Sequence, residues 1–571
     1  MTDAPTRGLV AAAFALAVVM LFLRLGRPAL MWPDEGRNAE VAREMSVGSS
    51  WWEPTLEGLP YLDKPVTFFA AVALSFRLLG INEWAARLPS ALCGLGALVV
   101  LFSAARKRAG SAAAAAAVVT AATCPMVFAF SRLVIMDMML AFCTVGSILA
   151  AFTAEDLDGV ARARRYLVAA AMAGAGFVVK GPVGVLVPVA VLVVDRLVAP
   201  APGSLRRLFS RWNAVVFLAI AAPWFLGVVA AHPDFFHYGV VEETLGRFFT
   251  PAFNRVQPFW FFGPVFLVAT FPWCALIPAV AATVWRGRRS LAPIDRLLAV
   301  WTVVVILFFS LSRTKQPGYI LSAVIAFGAL TGITLVRALA EPEGRAARTI
   351  ARSTLVFGAG ALGIGIFLGA AATRHDLLPG RMAASLSGAE WAVPGLRWCA
   401  LGAIVAGIGG IAGGWRRSAR ATILAYAALP AAIIVLAFPG VATYAETRSA
   451  RPMARAFSAL PREVEIVALS TYPSGLSFYL GRTITLISKD GLQLGSNYVA
   501  YWLRGRNSWP TNVVPWDDRA AWLDGRTHDV LLVADSYGRN ELGRIAGERG
   551  AAVTELSDEW SFARIVPAGR R

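Results

Sequence analysis

Long apolar segments recur along the whole chain and limit the fold to one that can lie in a lipid bilayer. A helix needs about 20 mainly apolar residues to cross the hydrocarbon core. Hydrophobic residues make up 57% of the 571 residues and charged residues only 16%, whereas soluble domains hold about 25% charged residues. The sequence therefore predicts a polytopic α-helical membrane protein with about 13 transmembrane helices. Candidate spans lie near 8–25, 84–104, 111–130, 134–153, 166–180, 182–198, 212–231, 259–285, 295–312, 317–337, 353–373, 393–414 and 421–440.

The net charge of +18 follows a pattern typical of membrane orientation and does not favour a nucleic-acid partner. With the N-terminus in the cytoplasm, every basic cluster falls in a cytoplasmic loop, as the positive-inside rule requires. We therefore expect a multi-pass protein of the bacterial inner (plasma) membrane. Its periplasmic face would receive the segments 26–83, 232–258 and 441–571. The clusters are Arg106-Lys107-Arg108, Arg162/Arg164/Arg165, Arg206/Arg207/Arg211, Arg286/Arg288/Arg289, Arg345/Arg348/Arg352 and Arg416/Arg417/Arg420.

The large outer segments have their own patterns. From Asp34 to Met45, small or apolar residues alternate with charged ones, which predicts a helix lying in the membrane interface. Residues 65–80 are apolar but short, and predict a second interfacial or re-entrant helix. The tail has strand-like runs at 464–470, 483–488 and 529–534, followed by a helical stretch at 540–549. We therefore predict a transmembrane domain over 1–440, which includes the first loop 26–83, and a small periplasmic α/β domain over 441–571.

The cysteines and histidines give no metal-binding pattern. All five cysteines lie in apolar stretches without a CxxC pair, and the four histidines have no metal-binding spacing. Neither a disulfide framework nor a zinc cluster is expected. We therefore predict no metal ligands and no required cofactor, and leave the binding of a divalent metal open.

Isolated charged residues gather at one level of the predicted topology, the outer face. Charges near the membrane are costly and usually functional. A carboxylate there could take the proton from an acceptor hydroxyl that attacks an anomeric carbon, while cations and a phenol could hold a leaving phosphate. The chain has no phosphate-binding glycine loop, so a soluble nucleotide donor is not favoured. The residues are Asp34-Glu35, Asp63-Lys64, Asp137, Lys180, Glu242-Glu243, Arg247, Lys315 and Tyr319.

Each of these residues also has a structural interpretation. Asp34 could cap the helix that follows, and Lys64 before Pro65 could mark a helix start or snorkel to the interface. Asp137 could serve in a structural ion pair. Lys180, Lys315 and Tyr319 could be interface anchors, and Arg247 could belong to a solvated loop.

Several motifs resemble the GT-C glycosyltransferases. The stretches PDEGRNAEVAREM, WWEPTLEGLPYLDKPVTFF and NEWAARLPSALCG are similar to the first outer loop of that superfamily. The likeness is greatest to the bacterial aminoarabinose transferases of lipid A and their relatives among the protein O-mannosyltransferases. Further matches follow in order across most of the chain, at SRLVIMDMML, VVKGPVGVLVP, EETLGRF with PFWFF, SRTKQPGYIL and SGLSFYLGR.

The resemblance implies a many-span transferase with a periplasmic active site and a polyprenyl (undecaprenyl) phosphate sugar donor. Asp34 would be the catalytic carboxylate and Asp137 the second functional acid, near the sugar. Glu35 would assist or shape the pocket. The transfer would invert the sugar in a single displacement. The predicted substrate-binding set is Glu35, Lys64, Arg247, Lys315, Tyr319, Asp63 and Lys180, among which Lys64, Arg247 and Tyr319 would bind the donor phosphate.

The chain also departs from the family pattern. Asp63 stands where the family often has Glu, and Val66 where it often has a second Pro. The aminoarabinose enzymes can hold a structural metal near that Glu, and with Asp63 and few histidines we do not predict one here. These departures leave open the sugar, 4-amino-4-deoxy-L-arabinose or a hexose.

The acceptor is open as well: lipid A, another envelope glycolipid or a secreted protein. Membrane lipids and the polyprenyl-phosphate-linked sugar are the other expected partners. The main alternative function is that of a protein O-mannosyltransferase-like enzyme. A lipid flippase or transporter is the alternative from another class, although such proteins usually show repeats and sites at the middle of the bilayer.

Overall fold

The chain folds into two compact units, each assembled from segments that are distant in sequence. A computed structural model describes residues 4–48, 50–246, 256–374, 392–436, 438–504, 506 and 508–567. The first unit comprises Met1–Leu25, Arg87–Leu226 and Thr244–Thr443, and the second Gly26–Ala86, Gly227–Glu243 and Tyr444–Arg571. The predicted boundary between 1–440 and 441–571 stays a prediction.

The first unit is helical, which confirms the polytopic helical class. Within the described residues, seven helices are long and apolar enough to cross a membrane, or up to eight if the bent pair Phe259–Ala269 and Trp273–Gly287 forms one span. The predicted number of about 13 stays a prediction. The seven are Glu83–Ala109, Asp137–Ala154, Ser204–Ala231, Pro293–Leu311, Pro317–Ala340, Arg345–Ala371 and Val393–Trp415.

Shorter helical segments complete this unit. Several of them lie in the predicted spans but are too short, or not apolar enough, to be counted as membrane-spanning helices. They are Ala4–Phe22, Ser111–Ala122, Pro125–Phe130, Gly159–Lys180, Val183–Val198, Phe259–Phe261, Phe262–Ala269, Trp273–Leu276, Ile277–Gly287, Pro317–Ile320, Ala419–Leu436 and Phe438–Thr447.

Small residues let the helices Ser111–Ala122 and Leu321–Ala340 approach closely. A Cβ on Gly332 would lie 2.6 Å from the backbone of Ala116, so a side chain there would push the helices apart. The hydroxyl of Thr120 donates a 2.6 Å hydrogen bond to the carbonyl of Gly328. Such small-residue contacts drive helix association where lipid supplies no hydrophobic force. They fix the helix that directly follows the short helix Pro317–Ile320, in which Tyr319 lies.

The second unit contains a six-stranded mixed sheet. Val/Ile/Leu-rich runs such as Glu465–Leu469 form buried parallel strands, which are covered on both faces. Elements are present at every position predicted in the tail, including the helix Arg539–Glu548. That the tail forms a domain of its own stays a prediction. In spatial order the strands are Val513–Pro515, Thr485–Ser488, Glu465–Leu469 and Val530–Asp535, all parallel, then Trp560–Ile565 and Val553–Glu555, both antiparallel to their neighbours.

Residues 26–83, the segment predicted to be the first outer one, supply two helices and a hairpin to this unit. The helix Asp34–Val47 is present, and ten of its fourteen residues are buried within the protein; that it lies in the membrane interface stays a prediction. The helix Thr67–Leu79 has 13 residues, too few to span, and it exposes Leu74 and Leu78. Other helices of the unit are Arg451–Phe457, Leu476–Leu480, Leu492–Leu494, Asn497–Arg504, Trp516–Asp518 and Arg519–Asp524.

A tight hairpin joins the strands Thr55–Leu56 and Leu59–Pro60. Its two turn residues, Glu57 and Gly58, both have positive φ, at 53° and 73°. A two-residue turn with both φ positive matches the twist of the flanking strands. The turn carries the carboxylate of Glu57 into the protein interior, where Glu57 is buried.

Candidate active site

Asp34 and Glu35 differ sharply in exposure. The helix begins at Asp34, directly after Pro33, without a side-chain capping hydrogen bond. The side chain of Asp34 is 51% exposed, and its Oδ1 pairs with Arg37 at 2.5 Å. Glu35 is buried, and its Oε2 accepts a hydrogen bond from the backbone amide of Met31 at 3.1 Å. Asp34 therefore offers an accessible carboxylate, whereas Glu35 fixes the entry into the helix.

Asp63 joins three segments of the second unit. Its buried carboxylate accepts hydrogen bonds from the hydroxyl of Tyr238 at 2.7 Å and from the backbone amides of Asn497 and Tyr498 at 3.0 and 3.2 Å. The hydroxyl of Ser496 donates to its other oxygen. A metal ligand must offer a lone pair, and here both oxygens already face hydrogen-bond donors. That no metal binds near Asp63 stays a prediction.

The predicted phosphate-binding cations lie in different parts of the chain. The ammonium of Lys64 donates to the carbonyl of Asp63 at 2.8 Å. Lys315, which was predicted as a substrate-binding residue near these cations, is buried. It donates to the carbonyl of Gln257 at 2.9 Å and to that of Ser312, and burial lowers its pKa. Arg247 lies outside the described residues. The role of these cations in phosphate binding stays a prediction.

Asp137, Lys180 and Tyr319 come together in the first unit. Asp137 is the first residue of its helix and Lys180 the last residue of the next one. Asp137 Oδ1 and Lys180 Nζ are 2.7 Å apart, and Nζ lies 5.4 Å from the centre of the Tyr319 ring. A Cβ on Gly318 would lie 2.6 Å from the same carboxylate oxygen, so this close approach requires glycine. The predicted second acid is therefore held in a cation–phenol cluster.

Arg37 was not among the predicted site residues, although it contacts Asp34. Its Nη2 contacts Asp34 and its Nη1 donates to the carbonyl of Gly495 at 3.1 Å. The guanidinium carbon lies 6.0 Å from the centre of the Tyr61 ring. The three-residue spacing between Asp34 and Arg37 on a helix was an available signal, since such residues are neighbours on the helix surface. The contact with Gly495 had no sequence signal.

A buried acidic cluster was missed as well. One carboxylate oxygen each of Glu40, Glu44 and Glu57 lies within 4.8 Å of the others. Arg43 makes two 2.7 Å hydrogen bonds with Glu40, and Glu44 accepts from the hydroxyl of Thr55 at 2.5 Å. Among the contacts named here, one guanidinium, that of Arg43, therefore stands against three carboxyl groups. The carboxylate oxygens accept hydrogen bonds from other groups of the protein.

Glu57 is bound by three hydrogen-bond donors of the tail. It accepts hydrogen bonds from the hydroxyls of Tyr472, at 2.7 Å, and Ser477, and from the backbone amide of Ile484 at 2.8 Å. Burial, with the repulsion of Glu40 and Glu44, raises the pKa of Glu57 to about 8. Glu57 is therefore largely protonated at neutral pH, which limits the repulsion among three close carboxylates.

The sequence is similar to a mannosyltransferase family model and to several curated arabinosyl transferases. The family model described as dolichyl-phosphate-mannose-protein mannosyltransferase matches residues 63–226. The undecaprenyl phosphate-alpha-4-amino-4-deoxy-L-arabinose arabinosyl transferase of Aeromonas salmonicida is 29% identical over 60% of this chain and 62% of its own length. The protein of the same name from Erwinia tasmaniensis is 32% identical over 51% of this chain and 53% of its own. The chain thus aligns with little more than half the length of these curated relatives.

A solved structure extends the likeness to the whole fold. The crystal structure of ArnT from Cupriavidus metallidurans bound to undecaprenyl phosphate superposes with a TM-score of 0.80 and 24% identity, over 98% of each chain. The chain therefore shares the fold of this ArnT structure, and the resemblance seen in the first-loop motifs is confirmed by the similarity to the family model and the curated relatives. Within the GT-C membrane glycosyltransferases, the chain is similar to the aminoarabinose transferases.

Proposed function

We propose that this protein is an integral-membrane glycosyltransferase that moves a sugar from a polyprenyl-phosphate donor to an acceptor on the periplasmic side. The observation that carries the proposal is the half-exposed carboxylate of Asp34, oriented by a guanidinium, in a chain with the GT-C fold. The names of the curated relatives support undecaprenyl phosphate as the carrier and 4-amino-4-deoxy-L-arabinose as the sugar. Lipid A or another envelope glycolipid is the proposed acceptor.

The proposed reaction is a single displacement. Asp34 takes the proton of the acceptor hydroxyl as its oxygen attacks the anomeric carbon. The bond from that carbon to the phosphate oxygen breaks, and the polyprenyl phosphate leaves with inversion at the sugar. Lys64, Arg247 and Tyr319 offset the charge of the departing phosphate, and Asp137, fixed by Lys180, contacts the sugar. No proton needs to be supplied to the phosphate, so a single base suffices.

The same proposal includes the topology. The basic clusters support thirteen spans with the N-terminus in the cytoplasm of a bacterial cell. Residues 26–83 and 441–571 then lie on the periplasmic side, and the tail forms a small α/β domain. A second candidate function, protein O-mannosylation, is favoured by the match of residues 63–226 to the mannosyltransferase family.

Mass spectrometry of envelope lipids tests the proposal. Cells would express the wild type, Asp34→Asn or the control Asp158→Asn, which changes a 97% exposed aspartate that also pairs with an arginine. We expect a sugar-sized mass increment with the wild type and the control. With Asp34→Asn at equal membrane abundance, transfer should fall roughly 10²–10⁴-fold, the usual contribution of a general base.

The other outcomes are equally informative. An increment that persists with Asp34→Asn would remove Asp34 from its catalytic role. If the wild type adds no sugar to any lipid while secreted proteins gain hexoses, the mannosyltransferase alternative replaces lipid modification.

A further inference from the structure

The carboxylate of Asp34 forms an ion pair with the guanidinium of Arg37, which is less exposed than Asp34. Arg37 is 14% exposed on its side chain, compared with 51% for Asp34. Its Nη2 binds Asp34 Oδ1, while Nη1 donates to the carbonyl of Gly495 and the ring of Tyr61 lies alongside. A planar guanidinium with several fixed donors can grip two partners at once in a defined geometry. The position of Arg37 thus determines the orientation of the Asp34 carboxylate.

The guanidinium of Arg37 also contacts a turn of the tail, formed by residues 495–498. Gly495 has a φ of +67°, and a Cβ at this position would collide with Nη1 of Arg37. The next three residues, Ser496 to Tyr498, donate their hydrogen bonds to Asp63. One turn of the tail therefore contacts both Arg37 and the residue beside Lys64.

We propose, resting on the function proposed above, that Arg37 is a positioning residue for Asp34 and that the turn from Gly495 to Tyr498 sets the position of Arg37. Because the ion pair uses Oδ1, the other oxygen of Asp34 is the one turned to the acceptor hydroxyl. The C-terminal segment then contributes to the reaction through main-chain geometry, without supplying a reacting group.

Two glycines of the tail give a matched experiment. Gly495 and Gly481 have nearly the same left-handed backbone, with φ of 67° in both and ψ of 22° and 23°. A Cβ on Gly481 meets nothing within 4 Å, whereas a Cβ on Gly495 meets Arg37. The variants Gly495→Ala and Gly481→Ala therefore carry equal backbone strain and differ in their effect on Arg37.

Kinetics of the purified full-length variants in detergent would be compared, with undecaprenyl-phosphate-linked 4-amino-4-deoxy-L-arabinose as donor and lipid A as acceptor. We expect Gly495→Ala to lower kcat about 10- to 100-fold, the effect of a misplacement of about 1 Å, with little change in KM. Gly481→Ala should keep both constants. Arg37→Gln should lose as much as Gly495→Ala, and Arg37→Lys should recover part of the activity, since lysine keeps the charge but not the fork.

The two levels of the proposal fail separately. Full kcat in Gly495→Ala and Arg37→Gln, with Asp34→Asn inactive, would overturn the role of Arg37 and leave the glycosyltransferase intact. Equal losses in the two glycine variants would show backbone strain alone and also overturn it. If Gly495→Ala does not fold, the kcat values of Arg37→Lys and Arg37→Gln test the proposal. Equal kcat values in these two variants would overturn the positioning role of Arg37. Activity in Asp34→Asn would instead refute the proposed function.

Discussion

At the scale of single residues, exposure separates Asp34 from the other acids of the first outer segment. Glu35, Glu40 and Glu57 are buried and engaged by protein donors, whereas half of the Asp34 side chain is open. The motifs pointed to the Asp-Glu pair but could not tell its members apart by exposure. Adjacent side chains of a helix are rotated by about 100° from each other, and only the packing decides which one faces outward.

Glu57 predicts a pH dependence of stability. Its ordinary pKa of 4.5 is raised to about 8 in the folded protein, so the folded state holds a proton that the unfolded state has lost between these values. The resulting stabilisation is fully present below about pH 4.5 and is lost as pH rises through about 8. The melting temperature in detergent should therefore fall between pH 5 and pH 9, by an amount that Glu57→Gln reduces.

The glutamine variant suits this measurement because the hydroxyls of Tyr472 and Ser477 can rotate to accept from its amide. Glu463→Gln, at an exposed position of the same unit, serves as the control and should keep the wild-type slope. A Glu57→Gln profile as steep as the wild type would assign the pH dependence to other groups.

At the scale of secondary-structure elements, the Asp137–Lys180 pair ties the start of one helix to the end of the next. Both side chains are mostly buried. Removing one partner of such a pair costs roughly 3–5 kcal/mol because the other charge stays buried, and somewhat less where water has access. Lys180→Met should therefore lower the melting temperature more than the double variant Asp137→Asn/Lys180→Met.

Activity separates the two interpretations of this pair. If Asp137 contacts the sugar, the double variant should regain thermal stability and remain inactive. Transfer that returns together with stability would make the pair purely structural.

The elements that the sequence predicted share one property. The tail strands and most helices carry a local signal, such as the run of branched residues in Val530–Asp535. The helix Asp34–Val47 was predicted as well, but the partners of its polar residues were not, since they lie far along the chain: Arg37 contacts Gly495, 458 residues away. Family motifs therefore indicated Asp34, Asp63 and the Asp137–Lys180 pair, whereas Arg37 and the hydrogen-bond donors to Asp63 required the folded structure.

At the scale of the whole molecule, a substitution of Asp63 tests whether the three segments of the second unit depend on one another for their stability. Asp63→Ala would leave one tyrosine hydroxyl, one serine hydroxyl and two amides without their acceptor, each at a cost of about 1–3 kcal/mol if it stays buried and unsatisfied. Because these donors come from two different segments, we expect limited proteolysis to cut both the first outer segment and the tail faster. Faster cleavage of the tail alone would instead support an independent domain over 441–571.

The assembly of the second unit from residues 26–86, 227–243 and 444–571 has a consequence for biosynthesis. Glu57 leaves the ribosome 415 residues before its partner Tyr472, a delay of roughly 20–80 s at ordinary rates of synthesis. During that interval residues 26–83 have been translated while Glu57 lacks its hydrogen-bond donors in the tail. A chain that terminates before the tail would insert its helices but lack Gly495, which holds Arg37 against the carboxylate of Asp34. The proposed catalytic residue near the start of the chain is therefore fully positioned only after the tail has been translated.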